Sequence, residues 1–209
     1  MPATSPLVPL TPRSVLERLH RDLFTIDRCV RSDISDAPLS VVEQMVLVLE
    51  DRRFFHHRGV DLRSCVREVV RTLLLRSHGG ASTIDMQFVR TATGYRDRTI
   101  KRKLYEMLLS ILVQFRYSKL EIFRSYLSCA FFGSHLIGIE AAAREIFQKA
   151  PESLNVDEAA YIASLLVYPR PLRSTSQWTL KVDRRANYGK RLFPRLKKAF
   201  EKLPIGEQL

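Results

Sequence analysis

The chain has 209 residues, 45% apolar and 27% charged, an ordinary make-up for a globular protein with one compact domain or two tightly packed lobes. Three scattered cysteines, Cys29, Cys65 and Cys129, argue against a disulfide scaffold or a C-x-x-C metal site, and no apolar run approaches the ~20 residues needed to span a bilayer. The charge is lopsided: 34 Lys+Arg against 22 Asp+Glu give a formal +12, and from Pro171 onward ten basic residues face three acidic ones. Such a basic end favours an anionic partner, either nucleic acid or an acidic membrane surface, where each Lys or Arg contributes on the order of 1 kcal/mol.

In chain order, residues 1 to about 12 carry Pro2, Pro6, Pro9 and Pro12 and predict an irregular arm, followed by a short helix over Ser14–Arg31. The stretch Met1–Leu23 lacks the basic-then-apolar pattern of a signal peptide. Ser40-Val41-Val42-Glu43 is a capping box opening an apolar run, so a helix should end near Glu50. From Asp61 to Arg76 the apolar residues Leu62, Cys65, Val66, Val69, Val70, Leu73 and Leu74 recur at helical spacing. His78-Gly79-Gly80 breaks that helix, and Ser82 or Thr83 can cap the next, from Ile84 to about Thr91. Arg98–Arg116 predicts a long helix, Ser118-Lys119-Leu120-Glu121 is a second capping box, and Asn155-Val156-Asp157-Glu158 opens a helix that stops before Pro169. Strand-type alternation is almost absent, and the reading is all-α.

Three polar clusters stand out. Glu50-Asp51 closes an apolar helix, where burial would raise a carboxylate toward a usable base. Gly80-Ala81-Ser82-Thr83-Ile84 precedes Gln87 and Arg90. Arg98, Arg102 and Glu106 are spaced four apart, so on a helix they share one face, with Lys103 beside them. Glu50 and Glu106 are 56 residues apart, so only a folded cleft can bring them together.

In this order the clusters resemble the signature blocks of the family 51 glycosyltransferases, the peptidoglycan enzymes that polymerise lipid II. The first block, E-D-x-x-F-x-x-H-x-G, is met by Glu50, Asp51, Phe54, His57 and Gly59. The second, G-x-S-T-I-x-Q-Q-x-x-K-N, is met by Gly80, Ser82, Thr83, Ile84 and Gln87, with Met86 for the first glutamine, Arg90 for the lysine and Thr91 for the asparagine. The third, R-K-x-x-E, is intact as Arg102, Lys103 and Glu106. The fourth matches at Lys119, Ile122 and Tyr126, with Ser128 for an asparagine, and reads as packing rather than chemistry. A fifth is met loosely by Arg184 or Arg185 with Leu192.

The resemblance implies a lysozyme-like, two-lobed all-α fold over about residues 38 to 192. Residues 1–37 would form an arm and short helix, and 193–209 a basic tail. It implies Glu50 as the catalytic base and Glu106 as a second essential glutamate that orients cations or holds a divalent ion, magnesium or manganese. Asp51, Ser82, Thr83, Gln87, Arg90, Arg98, Arg102 and Lys103 would bind substrate. Lipid II, the growing glycan strand, an anionic membrane surface and other cell-wall synthesis proteins are the implied partners, at the outer face of the cytoplasmic membrane. The smaller lobe would dip into lipid around Val69–Arg76. The departures at Met86, Thr91 and Ser128 favour a second reading, a degenerate member that binds lipid II without polymerising it. A basic nucleic-acid binder is the third, and it leaves Glu50 and Glu106 unexplained.

Overall fold

The computed structural model describes residues 11–31, 37–73, 82–95, 97 and 99–200. Among these are nine α-helices: α1 (Pro12–Cys29), α2 (Val41–Glu50), α3 (Leu62–Leu73), α4 (Ile84–Thr93), α5 (Ile100–Gln114), α6 (Lys119–Cys129), α7 (Ile139–Phe147), α8 (Val156–Ser164) and α9 (Ser176–Phe200). One antiparallel hairpin, β1 (Phe131–Gly133) with β2 (Leu136–Ile137), joins α6 to α7. The all-α expectation holds, with this hairpin as the addition.

The helix starts follow from the residues that satisfy their orphan N–H groups. Ser40 with Glu43, Ser118 with Glu121 and Asn155 with Glu158 form the three reciprocal capping boxes read from the sequence. Thr83, rather than Ser82, caps α4 by accepting from the Met86 N–H. Thr99 caps α5, so that helix starts at Ile100, two residues later than the pattern suggested. Pro12 sits in the first turn of α1, where its missing N–H does no harm.

The core is centred on α2, whose Val42, Met45, Val46, Leu47 and Val48 are all buried. Each such side chain contributes roughly 1.5–3 kcal/mol by leaving water. Its neighbours α8 and α9 approach closely because they offer small residues, Ala159, Ala160 and Ala163 on α8 and Ala186 and Gly189 on α9. A Cβ on Gly189 would lie 3.1 Å from both Met45 and Leu49. The helix α9 runs unbroken through residues 192–193, and Phe193 and Phe200 are buried in the same core. Ile26 of α1 is buried there too, so the segments flanking 38–192 share its core. The three cysteines are free, and burial pushes the Cys129 thiol up to about 12, leaving it inert.

The hinge between α2 and α4 is built on Gly59 and Asp61. Gly59 has φ +80°, its carbonyl accepts from the Thr83 hydroxyl at 2.6 Å, and a Cβ there would lie 2.5 Å from the Ser110 carbonyl oxygen of α5. The buried Asp61 accepts from the Arg63 N–H and the Ser64 hydroxyl and so anchors the start of α3. Gly59→Ala combines a left-handed φ with a backbone clash. It should cost on the order of 3 kcal/mol in urea unfolding, and a loss within error of zero would refute the close approach.

Candidate active site

The C-terminal turn of α2 delivers Glu50, whose side chain is only 8% exposed. One carboxylate oxygen accepts from Gln87 Nε2 of α4 at 3.0 Å, and the other accepts from Arg185 Nη2 of α9, which also bonds the Leu49 carbonyl. The Gln87 amide is itself fixed, because the buried Tyr126 hydroxyl donates to its Oε1 at 2.7 Å and turns the NH₂ toward Glu50. Burial, with the Glu50 carboxylate next in effect, pushes the Tyr126 phenol well above its ordinary value, so it stays a proton donor.

Glu106 lies on the buried side of α5 and is fully inaccessible. Arg102 donates to Oε1 at 2.6 Å, and Arg90 donates to both oxygens at 3.1 and 3.2 Å. Arg90 also reaches the Ser82 hydroxyl at 3.4 Å. Gln87 and Arg90 are one turn apart on α4, so one face of that helix touches both glutamates. The Nε atoms of Arg102 and Arg185 are buried and have no hydrogen-bond partner among the described residues. Buried donors of this kind call for an acceptor.

A divalent cation does not fit at Glu106. Both oxygens face guanidinium groups, and a metal would sit against two positive charges with one carboxylate to hold it. A different cluster, Asp51, His57 and Asp85, brings potential ligand atoms within 4.8 Å of one another. There Lys119 already supplies the cation, with Nζ at 3.0 and 3.1 Å from the Asp85 oxygens. Burial pushes the Asp85 carboxyl up and the Lys119 ammonium down, each opposed by the other's charge.

Asp51 is buried beside the site: His57 Nε2 lies 3.0 Å from its Oδ2, which also accepts from the Ile84 N–H at the start of α4. It therefore ties α2 to α4. Thr83 is buried as the α4 cap, and Lys103 lies one position round α5 from Arg102. Gly80 and Arg98 lie outside the described residues, as do residues 74–76 of the 69–76 stretch. The three departures from the family blocks, Met86, Thr91 and Ser128, occupy different surroundings. Met86 is fully buried, one helical turn before Arg90 on α4. The Thr91 hydroxyl bonds the Gln87 carbonyl within its helix, and Ser128 lines a separate cavity of about 710 Å³ with Glu43, Arg124 and Gly138.

Two residues of the Glu50 network carried little or no functional weight in the sequence. Tyr126 was read as packing, although its place in the fourth block was the signal. Arg185 was visible only as a loose fifth-block match, with Arg184 equally eligible.

Comparison with known proteins agrees with this geometry. The transglycosylase family model matches residues 27–191. Penicillin-binding protein 1A of Rickettsia typhi is 31% identical over 202 residues, covering 92% of this chain and 26% of that protein. Penicillin-binding protein 1A of Clostridium tetani is 35% identical over 144 residues, 66% of this chain and 18% of that protein. Penicillin-binding protein 1F of Bacillus subtilis is 35% identical over 133 residues, 63% of this chain and 18% of that protein. The chain thus spans about a quarter or less of the length of these relatives. With the family's blocks folded into one mostly helical cleft wall, the chain belongs to the transglycosylases, the lysozyme-like glycosyltransferase family 51.

Proposed function

We propose that this chain is a peptidoglycan glycosyltransferase that joins lipid II units and releases polyprenyl diphosphate. The observation that carries the reading is the Glu50 carboxylate, buried and held at both oxygens, on the same α4 face as the Arg90–Glu106–Arg102 cluster.

The 4-hydroxyl of one sugar attacks C1 of the next unit. Glu50 takes the hydroxyl proton, a contribution of about 10²–10⁴-fold. Gln87 and Arg185 use one lone pair on each Glu50 oxygen, which leaves acceptor capacity for the incoming hydroxyl. As the C1–O bond breaks, negative charge gathers on the diphosphate, and preorganised cations stabilise it without late rearrangement. Arg90 and Arg102 supply that charge, with Lys103 beside Arg102 on α5, and the family pattern adds Arg98 to them. Glu106 binds no phosphate: it is the buried anion that lets two guanidinium groups stand together at the cleft wall, Arg102 half-buried and Arg90 37% exposed. A magnesium or manganese ion would have to arrive with the diphosphate, because the groups around Glu106 leave it no place.

The substrate's lipid implies a bilayer beside the site. No described helix is long and apolar enough to cross one. The apolar residues Ile100 (81% exposed), Leu104, Leu108 and Phe115 (73% exposed) instead line one side of α5, and Leu62 (69% exposed) and Val66 stand out from α3 beside the exposed Arg63 and Arg67. Apolar residues flanked by arginines suit the interface of an acidic membrane.

Glu50→Gln should abolish lipid II polymerisation with little loss of stability, since the partly exposed Arg185 keeps its bond to the Leu49 carbonyl. Turnover by that variant would remove Glu50 as the base. Glu106→Gln should lose activity and also about 1.5–3 kcal/mol of stability in urea unfolding, because the half-buried Arg102 loses its counter-charge while Arg90, 37% exposed, is screened by water. Unchanged stability would contradict the proposed ordering role.

A further inference from the structure

The exposed side of α9 carries a line of cations that the reaction does not use. Lys181, Arg184, Arg191, Arg195 and Lys198 recur every three to seven residues, and Tyr188 fills the interval between Arg184 and Arg191. At 100° per residue these positions share one face, while Val182, Ala186, Gly189 and Phe193 face the core on the other. The line covers about 26 Å at 1.5 Å per residue. None of the five cations has a carboxylate partner among the described residues, and Asp183 is the single acid in the helix. A charge row left without counter-ions marks a surface for an anion.

The row is continuous with the Glu50 site. Arg185, the next residue after Arg184, donates to Glu50. Arg52, two residues past Glu50, donates to the Tyr188 hydroxyl at 2.6 Å with its guanidinium 5.5 Å from the ring centroid. Along α9, Leu180 and Tyr188 are the two large apolar residues exposed among the described residues, against five unpaired cations, so this face is far more cationic than the apolar flank of a lipid-seated helix.

We propose that the exposed face of α9 is a docking track for an anionic polymer, the growing glycan strand with its carboxylate-bearing peptide stems, as it extends from Glu50. This rests on the polymerising function above. The track holds the strand by many weak, salt-sensitive contacts, so the strand stays near the site between successive additions.

The test compares the wild type with a Lys181→Glu, Arg191→Glu, Arg195→Glu variant. Lipid II is the substrate, strand length and initial rate are both measured, and circular dichroism checks the fold. The expected result is strands several-fold shorter at an initial rate within about twofold of wild type, with wild-type strands shortening as salt rises. A Lys181→Gln, Arg191→Gln, Arg195→Gln variant, which removes charge without reversing it, should fall between them. Unchanged strand length at unchanged rate overturns the proposal. So does a variant that loses anionic vesicles or duplex DNA while making strands of normal length, because the track would then serve lipid or nucleic acid. If the wild type makes no polymer, the polymerase reading fails separately. Binding of purified, uncrosslinked glycan strands then decides the track: loss in the variant supports it, and equal binding overturns it.

Discussion

Two side chains one turn apart on α4 hold the chemistry together. Gln87 donates to Glu50, and Arg90 donates to Glu106, so carboxylates 56 residues apart in sequence meet a single helix face. The rest of the fold keeps that face in place. Thr83 caps the helix and bonds Gly59, Asp51 accepts the Ile84 N–H, and Asp85 on the buried side pairs with Lys119 of α6. The two charged partners, Arg185 and Arg102, arrive from α9 and α5. Loosening α4 would therefore disturb the proposed base and the proposed phosphate cations together.

The electrostatics divide along the same line. On the buried side of α4, opposite charges pair closely and leave no vacant positive site, since the Lys119 ammonium lies against Asp85 and 4.3 Å from the Phe54 ring. On the Gln87–Arg90 side the guanidinium groups outnumber what the carboxylates absorb, and the Nε groups of Arg102 and Arg185 have no partner among the described residues. A buried ion pair of the first kind adds little to net stability, because desolvation offsets most of the attraction. The excess of donors on the other side is what an enzyme needs when its leaving group carries two phosphates.

Much of the fold was legible because its signals are local. The boxes at Ser40, Ser118 and Asn155 involve residues three apart, and all three open helices where the spacing predicted. Glu50 at the end of α2 was legible for the same reason. The Arg185–Glu50 contact was not: it joins residues 135 apart, and nothing in local periodicity distinguishes Arg185 from Arg184. A motif position states which residue is unusual and not how it packs: Met86 is fully buried in the fold, which the motif does not tell. The basic end of the chain read as a tail because charge density conceals periodicity. Yet α9 runs on to Phe200, and Phe193 and Phe200 carry into residues 193–200 the buried stripe that Val182, Ala186 and Gly189 begin.

The proposed reaction breaks a C1–O bond to a diphosphate, so the leaving group is its sharpest probe. Purified protein would be given lipid II, and released polyprenyl diphosphate counted against new glycosidic bonds over time. One diphosphate per bond is expected at every strand length. Polyprenyl monophosphate as the product, or bonds formed without diphosphate release, would contradict it.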